Sequence, residues 1–291
     1  MNDDSLTPQE ARIHRVCEYV SQNLDGELGL EVLSRVAALS RFHFHRVFSA
    51  YTGLSTTRFI QLARLRRASY RVAFEPGQRL IDIGFEAGFE SQEAFSRAFK
   101  RVFGQSPSAF RSAPEWSRWH EVFQFKLPPR RTIPMQVEIV DFEDTPVALI
   151  EHLGPPEQVL DTAAQFIAWR KATGLSPVRS SRTFGVPFND PNTVAPAQFR
   201  FHICGSMDGE VPENAWGVRA GRIPGGRCAR LRHLGSHDAM DERIYWLYRE
   251  WLPASGEALR DFPCFFHYLN FVHEVDECDL VTDIYLPLKA A

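Results

Sequence analysis

Residues 40–55, SRFHFHRVFSAYTGLS, lie over residues 91–106, SQEAFSRAFKRVFGQS, at a constant offset of 51. Ser40 meets Ser91, Phe44 meets Phe95, Arg46 meets Arg97, Phe48 meets Phe99, Gly53 meets Gly104 and Ser55 meets Ser106. A unit repeated this closely is expected to fold the same way twice, so each copy helps to read the other. Taken alone, SRFHFHRVF starts with the apolar–polar alternation of a strand and loses it at the consecutive polar residues His45 and Arg46. The second copy decides the matter, because Phe95, Ala98, Phe99 and Val102 are spaced as one face of a helix. Both copies read as helices, with Ser40 as an N-cap in the first and a glycine, Gly53 or Gly104, as the stop.

Upstream of each copy runs a short amphipathic helix, LEVLSRVAALS at 30–40 and LIDIGFEAGFES at 80–91, ending in the small residues of a tight turn. Helix, tight turn, helix is a helix-turn-helix, here present twice. Between the copies, residues 55–75 place Phe59, Leu62 and Leu65 at helical spacing and read as a rigid connecting helix. Such a connector suits two recognition helices entering successive major grooves, roughly 34 Å apart. The segment between Glu31 and Glu75 contains no acidic residue, yet carries Arg35, Arg41, Arg46, Arg58, Arg64, Arg66, Arg67 and Arg71. Arginine suits bidentate bonding to phosphate and to guanine edges. The plainer alternative is a solvated helix face whose partners sit elsewhere in the fold.

The paired pattern, LSRFHFHRVFSAYTG and then DIGFEAGFESQEAFSRAFKRVFGQSPSAFR, resembles the DNA-binding domain of the AraC/XylS transcription regulators over about residues 10–112. The resemblance implies that the first recognition helix presents Arg41, Phe42, His45 and Arg46, and the second Gln92, Glu93 and Arg97 with Lys100 nearby. The chemistry agrees: arginine reads guanine, glutamine reads adenine, glutamate accepts from cytosine, and an aromatic ring meets thymine methyls. Phe42 has an alternative reading as extra core. His43 and His45 are two residues apart and point to different sides of the helix, which makes them poor partners for a metal; His43 is expected to pack in the turn.

A stretch rich in Pro and Trp follows, and residues 113–132 are expected to be a linker between a DNA-binding domain at 1–112 and a second domain at 133–291. The second half also repeats itself, now at an offset of 81. VALIEHLG at 147–154 answers CARLRHLG at 228–235, Phe184 answers Phe265, and Ile203 answers Ile284. Each unit reads as strand, loop, amphipathic helix (157–172 and 238–252) and two strands. The expected fold is therefore an all-α double helix-turn-helix domain followed by an α+β domain with pseudo-twofold symmetry and a cleft between its halves.

The motif order RTFGVPFNDP, FRFHIC, GGRCARLRHLGSH, YWLYREWLPASG, PCFFHYLN and TDIYLPL resembles the GyrI-like effector-binding domain over about residues 133–289. That family binds small, often aromatic or cationic compounds, and a glutamate in a P-x-F-E-x-Y pattern often faces the ligand. Here the pattern runs Pro263, Phe265, Phe266, His267, Tyr268, so Phe266 stands where the acid would be. The resemblance then implies Phe266 and Tyr268 as ligand contacts, and the missing carboxylate favours a neutral aromatic effector over a cation. Trp216, Phe184, Phe188, Trp246 and Tyr245 are further aromatic candidates, each with an alternative reading as core.

Charge and cysteines add bounds. The net charge of −3 divides into +3 over residues 1–112, from 15 Lys+Arg and 12 Asp+Glu, and −6 over 113–291, from 18 and 24. Five cysteines without a CxxC spacing read as buried free thiols, a redox-sensing pair being the alternative without spacing to support it. The amino terminus is acidic and polar, and no run of about 18 apolar residues occurs, so a cytoplasmic location away from membranes is expected. No phosphate-binding glycine loop, GxSxG or HExxH is present, and no catalytic residue, metal or cofactor is expected. The reading is a regulator that binds double-stranded DNA and an unidentified small effector, with RNA polymerase as a further partner of an activator. The alternatives are a small-molecule hydrolase or scavenger, and a protein-binding module joined to a DNA-binding domain.

Overall fold

The computed structural model describes residues 7–123 and 135–290. The chain divides into two compact units, Met1–Pro134 with Val272–Cys278, and Met135–Phe271 with Asp279–Ala291. The first is helical and the second is built on a sheet.

In the helical unit, α1 (Pro8–Gln22) opens on a capping box between Thr7 and Glu10. Then follow α2 (Leu30–Val36), α3 (Arg41–Thr52), α4 (Thr56–Phe74), α5 (Leu80–Glu86), α6 (Gln92–Phe103), α7 (Pro107–Ser112) and α8 (Trp116–Phe123). The offset of 51 holds for the ends and the buried rings of α3 and α6. The Ser40 hydroxyl accepts from His43 N and the Ser91 hydroxyl from Ala94 N, while Gly53 and Gly104 end the helices at φ of 70° and 79°. The same offset carries into the next helix, because the rings of Phe48 and Phe59 meet edge to face at 5.5 Å and those of Phe99 and Phe110 at 5.4 Å. Phe44, Phe48, Phe95, Phe99 and Phe110 have no solvent exposure. Each buried ring of this kind contributes about 1.5–3 kcal/mol relative to an exposed one.

Three expectations need correction here. The stretch read as a linker contains α8, whose Trp116, Trp119 and Phe123 are buried; Trp119 Nε1 donates to Ser69 Oγ at 2.7 Å and Trp116 packs on Phe110. Aromatic residues beside prolines signalled a helix that completes the core; residues 124–132 of that stretch lie outside the described residues. Also, the acid-free arginines are not one patch. Arg67 is buried and pairs with Asp25, Arg64 Nε donates to Leu24 O at 2.9 Å, Arg71 pairs with Glu86, and Arg66 lies over the Trp119 ring at 4.9 Å. Their partners come from other parts of the fold, which is the plainer of the two readings. His43 is exposed rather than packed in the turn.

The sheet unit contains β1 (Val137–Phe142), β2 (Thr145–Leu153), α9 (Val159–Thr173), β3 (Thr183–Pro187), β4 (Arg200–Ser206), β5 (Arg219–Ile223) and β6 (Gly226–Leu234). It continues with α10 (Met240–Trp246), a π turn (Leu247–Trp251), α11 (Leu252–Ser255), β7 (Phe265–Tyr268) and β8 (Val281–Pro287). The strands form one antiparallel sheet in the order β1-β6-β8-β7-β3-β4-β2-β5. β2 and β6 begin and end 81 residues apart, as do β4 and β8. α9 and α10 also start 81 apart, yet their helical stretches stop at Gly174 and Gly256, which are 82 apart. The π turn takes up that extra residue. Pro253, which lacks the N–H that would bond to Arg249, disfavours a regular α-turn at the same place.

Four of the five cysteines are buried and all five are free thiols; burial pushes the thiols of Cys17 and Cys204 up to about 12. Among the described residues no helix is long and apolar enough to cross a membrane.

The turns of the two helix-turn-helix units differ at one residue that bears on stability. Each turns through a left-handed residue, Ala38 at φ 50° in the first and Gly88 at φ 79° in the second. A side chain in that conformation costs roughly 1–2 kcal/mol, against roughly 0.5–1 kcal/mol for the added freedom of a glycine. Ala38→Gly is therefore expected to stabilise the helical unit by about 0.5–1 kcal/mol in denaturant unfolding followed by far-ultraviolet circular dichroism. An unchanged or lowered midpoint would contradict this account of the turn.

Candidate nucleic-acid interface and ligand cleft

Burial of the aromatic stripe of α3 decides what its other side shows. With Phe44 and Phe48 inward, Arg41, Phe42, His45 and Arg46 are all exposed, Phe42 to 84%. An aromatic ring left that open is not core. On α6, burial of Phe95, Ala98, Phe99 and Val102 leaves Gln92, Glu93, Arg97 and Lys100 exposed. Arg46 and Arg97 occupy equivalent helical positions and neither has an ion-pair partner among the described residues. The Glu93 carboxyl is held below its usual range by its own backbone N–H, then by Ser91, with Arg97 contributing less. It is thus a charged acceptor that also caps α6, a second duty that the base-reading pattern alone did not suggest.

In the sheet unit, strand alternation sorts the aromatic candidates onto opposite faces. Phe266, Tyr268 and Trp246 belong to the helix-covered core with Phe166 and Trp169 of α9, Phe201 and Leu247. Phe184 belongs to the other core, with Phe142, Phe265 and Tyr285. A single cleft cannot be lined by both Phe184 and Phe266. Phe188 is 38% exposed, against His202 at 4.3 Å and beneath the Arg200 guanidinium at 4.8 Å. Trp216 is 39% exposed, its backbone N–H bonded to Asn214 Oδ1. Tyr245 is tied by its hydroxyl to Asp190 Oδ2 at 2.7 Å. The structure therefore gathers Phe266, Tyr268 and Trp246 and separates Phe184, Phe188 and Trp216 from them.

Sequence reasoning missed Gly185, although the offset of 81 pointed to it, since 185 and 266 are equivalent positions. Gly185 and Phe266 are also direct partners across β3 and β7, so the two halves meet at this pair. A Cβ at Gly185 would stand 2.5 Å from Phe201 Cζ and 2.6 Å from Tyr268 Oη. The missing side chain lets those two rings close over the backbone beside Phe266. On the opposite face His267 is driven down to about 4, mainly by burial, so it is neutral near pH 7. Asp283, on the neighbouring strand, is bonded through both oxygens to Arg232 at 2.7 and 2.9 Å. β7 itself carries no carboxylate, and Asp283 beside it is already paired with Arg232.

A family model described as the GyrI-like small molecule binding domain matches residues 135–289. The chain belongs to that family. A helix-turn-helix domain model matches residues 33–113, so an AraC-type helix-turn-helix domain precedes the GyrI-like domain. The chain is 47% identical over 156 residues to the probable transcriptional regulator YgiV of Escherichia coli K12, spanning 54% of this chain and 98% of that protein. It is 32% identical over 132 residues to the right origin-binding protein of Escherichia coli K12, spanning 44% of each. Among solved structures, the EcmrR C-terminal domain superposes with a TM-score of 0.47 at 15% identity, over 55% of this chain and 100% of that one.

Proposed function

We propose that the chain is a DNA-binding transcription regulator whose two helix-turn-helix units read neighbouring major-groove segments and whose GyrI-like domain holds a small effector. The observation that carries the reading is the equivalence of α3 and α6. The two helices share their caps and buried rings, and each leaves a polar face with an arginine at the same position. The relatives named as a transcriptional regulator and an origin-binding protein support it. In this reading Arg41, Phe42, His45 and Arg46 form one reading head, and Gln92, Glu93, Arg97 and Lys100 the other. The arginines committed inside the unit hold α4 in place rather than touching phosphate.

For the effector, the favoured position is the junction of the two halves, where Phe266, Tyr268 and Phe201 gather over Gly185 with Trp246 in the same core. Rings without a counter-charge favour a neutral aromatic compound. Phe266 also leaves its position without a group that could transfer a proton, which argues for binding rather than hydrolysis.

Arg46→Ala and Arg97→Ala are each expected to weaken binding to a site selected from random DNA by about 1–3 kcal/mol, measured by titration at fixed salt. Parent-like affinity in both variants would remove α3 and α6 from the interface. For the effector, Phe266→Glu is expected to raise affinity for an aromatic quaternary ammonium relative to its neutral isostere in calorimetric titration, because a desolvated carboxylate gains a counter-charge. An unchanged preference, or a parent that already prefers the cation, would place the effector elsewhere.

A further inference from the structure

The loop after α9 and the turn between β1 and β2 border an open pocket of about 560 Å3, away from the aromatic residues at Gly185. Its wall carries the hydroxyls of Thr145, Ser176, Ser180, Ser181 and Ser206, with Arg182 and three acids, Glu143, Asp144 and Asp208, beside them. Three observations set it apart.

The first is Arg170, 3% exposed, behind the wall. Its Nε donates to Ser176 O, its Nη1 to Thr183 Oγ1 at 2.9 Å and its Nη2 to Ser176 Oγ at 3.2 Å. No carboxylate pairs with it among the described residues, and burial alone pushes its guanidinium down to about 10. A buried cation without a counter-ion is costly unless an anion completes the site. The second is Ser176 itself, a non-glycine residue at φ 48°. Gly205 makes room for it, since a Cβ there would stand 2.3 Å from Ser176 Oγ. Strained residues of this kind collect at functional sites. Ser176 Oγ accepts from Arg170, and Ser206 Oγ accepts from Arg182 N at 2.8 Å, so each hydroxyl keeps its proton to donate.

The third observation is the comparison between halves. The places of Arg170, Ser176, Gly205 and Ser206 are taken in the second half by Leu252, Ala258, Leu286 and Pro287, counted from the equivalent glycines and strands. There Leu259 bridges to Leu288, and the strand edge is closed. The fold therefore does not require the polar version. Of the acids at the cavity, Glu143 pairs with Arg182 at 3.3 Å and Asp144 with Arg222, while Asp208 is exposed.

We propose that this cavity binds a small hydroxylated oxyanion of the sugar-phosphate class. Ser176, Ser206 and Arg182 receive its charged oxygens, and Glu143 and Asp208 accept from its hydroxyl groups. Arg170 acts through Ser176, polarising the hydroxyl and supplying the charge. The proposal is independent of the DNA-binding reading.

The test is the thermal unfolding of the full chain with millimolar glucose 6-phosphate, inorganic phosphate or glucose at constant ionic strength. Ligand binding to the folded state is expected to raise the midpoint by a few degrees with glucose 6-phosphate, less with phosphate, and not with glucose. Ser176→Gly keeps the backbone oxygen that holds Arg170 and relieves the strained φ. Relief of φ offsets part of the lost bond to Arg170, so the variant is expected to unfold only slightly below the parent yet to lose the glucose 6-phosphate response, and Arg182→Gln is expected to lose it too. No response in the parent, an equal response to glucose, or an undiminished response in Ser176→Gly would overturn the proposal; the last would mark general salt exclusion from the surface.

Discussion

The edge-to-face ring pair that each recognition helix makes with the helix after it, Phe48 on Phe59 and Phe99 on Phe110, sets the rotation of α3 and α6 about their own axes. Rotating either helix by one residue, about 100°, would expose a phenylalanine and bury an arginine or a lysine, at a loss of several kcal/mol. Which side chains face outward is therefore decided by the core. The caps act on the same helices from their ends: a serine hydroxyl fixes the start, and a glycine in the left-handed conformation fixes the stop. Two helices with the same rotation and the same ends present the same positions outward, and that equivalence is the basis for reading them as paired heads.

The sheet unit uses its repeat differently. β1 bonds to β6 and β5 to β2, so each edge strand is attached to the half that follows or precedes its own. Exchange of edges joins the halves more firmly than side-by-side packing, because neither half retains its full sheet alone. The halves also meet at Gly185 and Phe266, where equal positions carry the smallest residue and a large one. Two phenylalanines there would crowd the same space, and two glycines would leave a void. The repeat has to break at this point, and ring closure over Gly185 follows from the break.

Much of this was legible beforehand. The offset of 51 identified α3 and α6 as helices, with Ser40 as a cap and a glycine as each stop, because both copies draw on local signals: a serine, a helical aromatic stripe and a glycine. The offset of 81 aligned in sequence the segments that form β2 and β6, and those that form β4 and β8. What stayed hidden depends on distant partners. Arg64, Arg67 and Arg71 looked like a continuation of the exposed basic face, but their acceptors, Leu24 O, Asp25 and Glu86, lie well away in sequence. Trp116 and Trp119 sat among prolines and resembled a spacer, although two indoles in four residues demand a place to be buried. Phe184 was grouped with Phe266 because both are aromatic; strand alternation sends them to opposite faces. The site at Arg170 and Ser176 left no motif, since it depends on a left-handed serine and on Gly205 across the sheet.

The claim most open to direct test is that α3 and α6 bind DNA together at one spacing held by α4. A selected DNA site should be lengthened by about half a helical turn, roughly five base pairs, between the two recognised segments, and affinity measured at fixed salt. The account predicts that binding falls to the level left when one segment is scrambled, because a rigid 19-residue helix cannot follow a segment moved along and around the duplex. Affinity unchanged by the insertion would contradict it, and would mean that only one of the two helices reads the DNA.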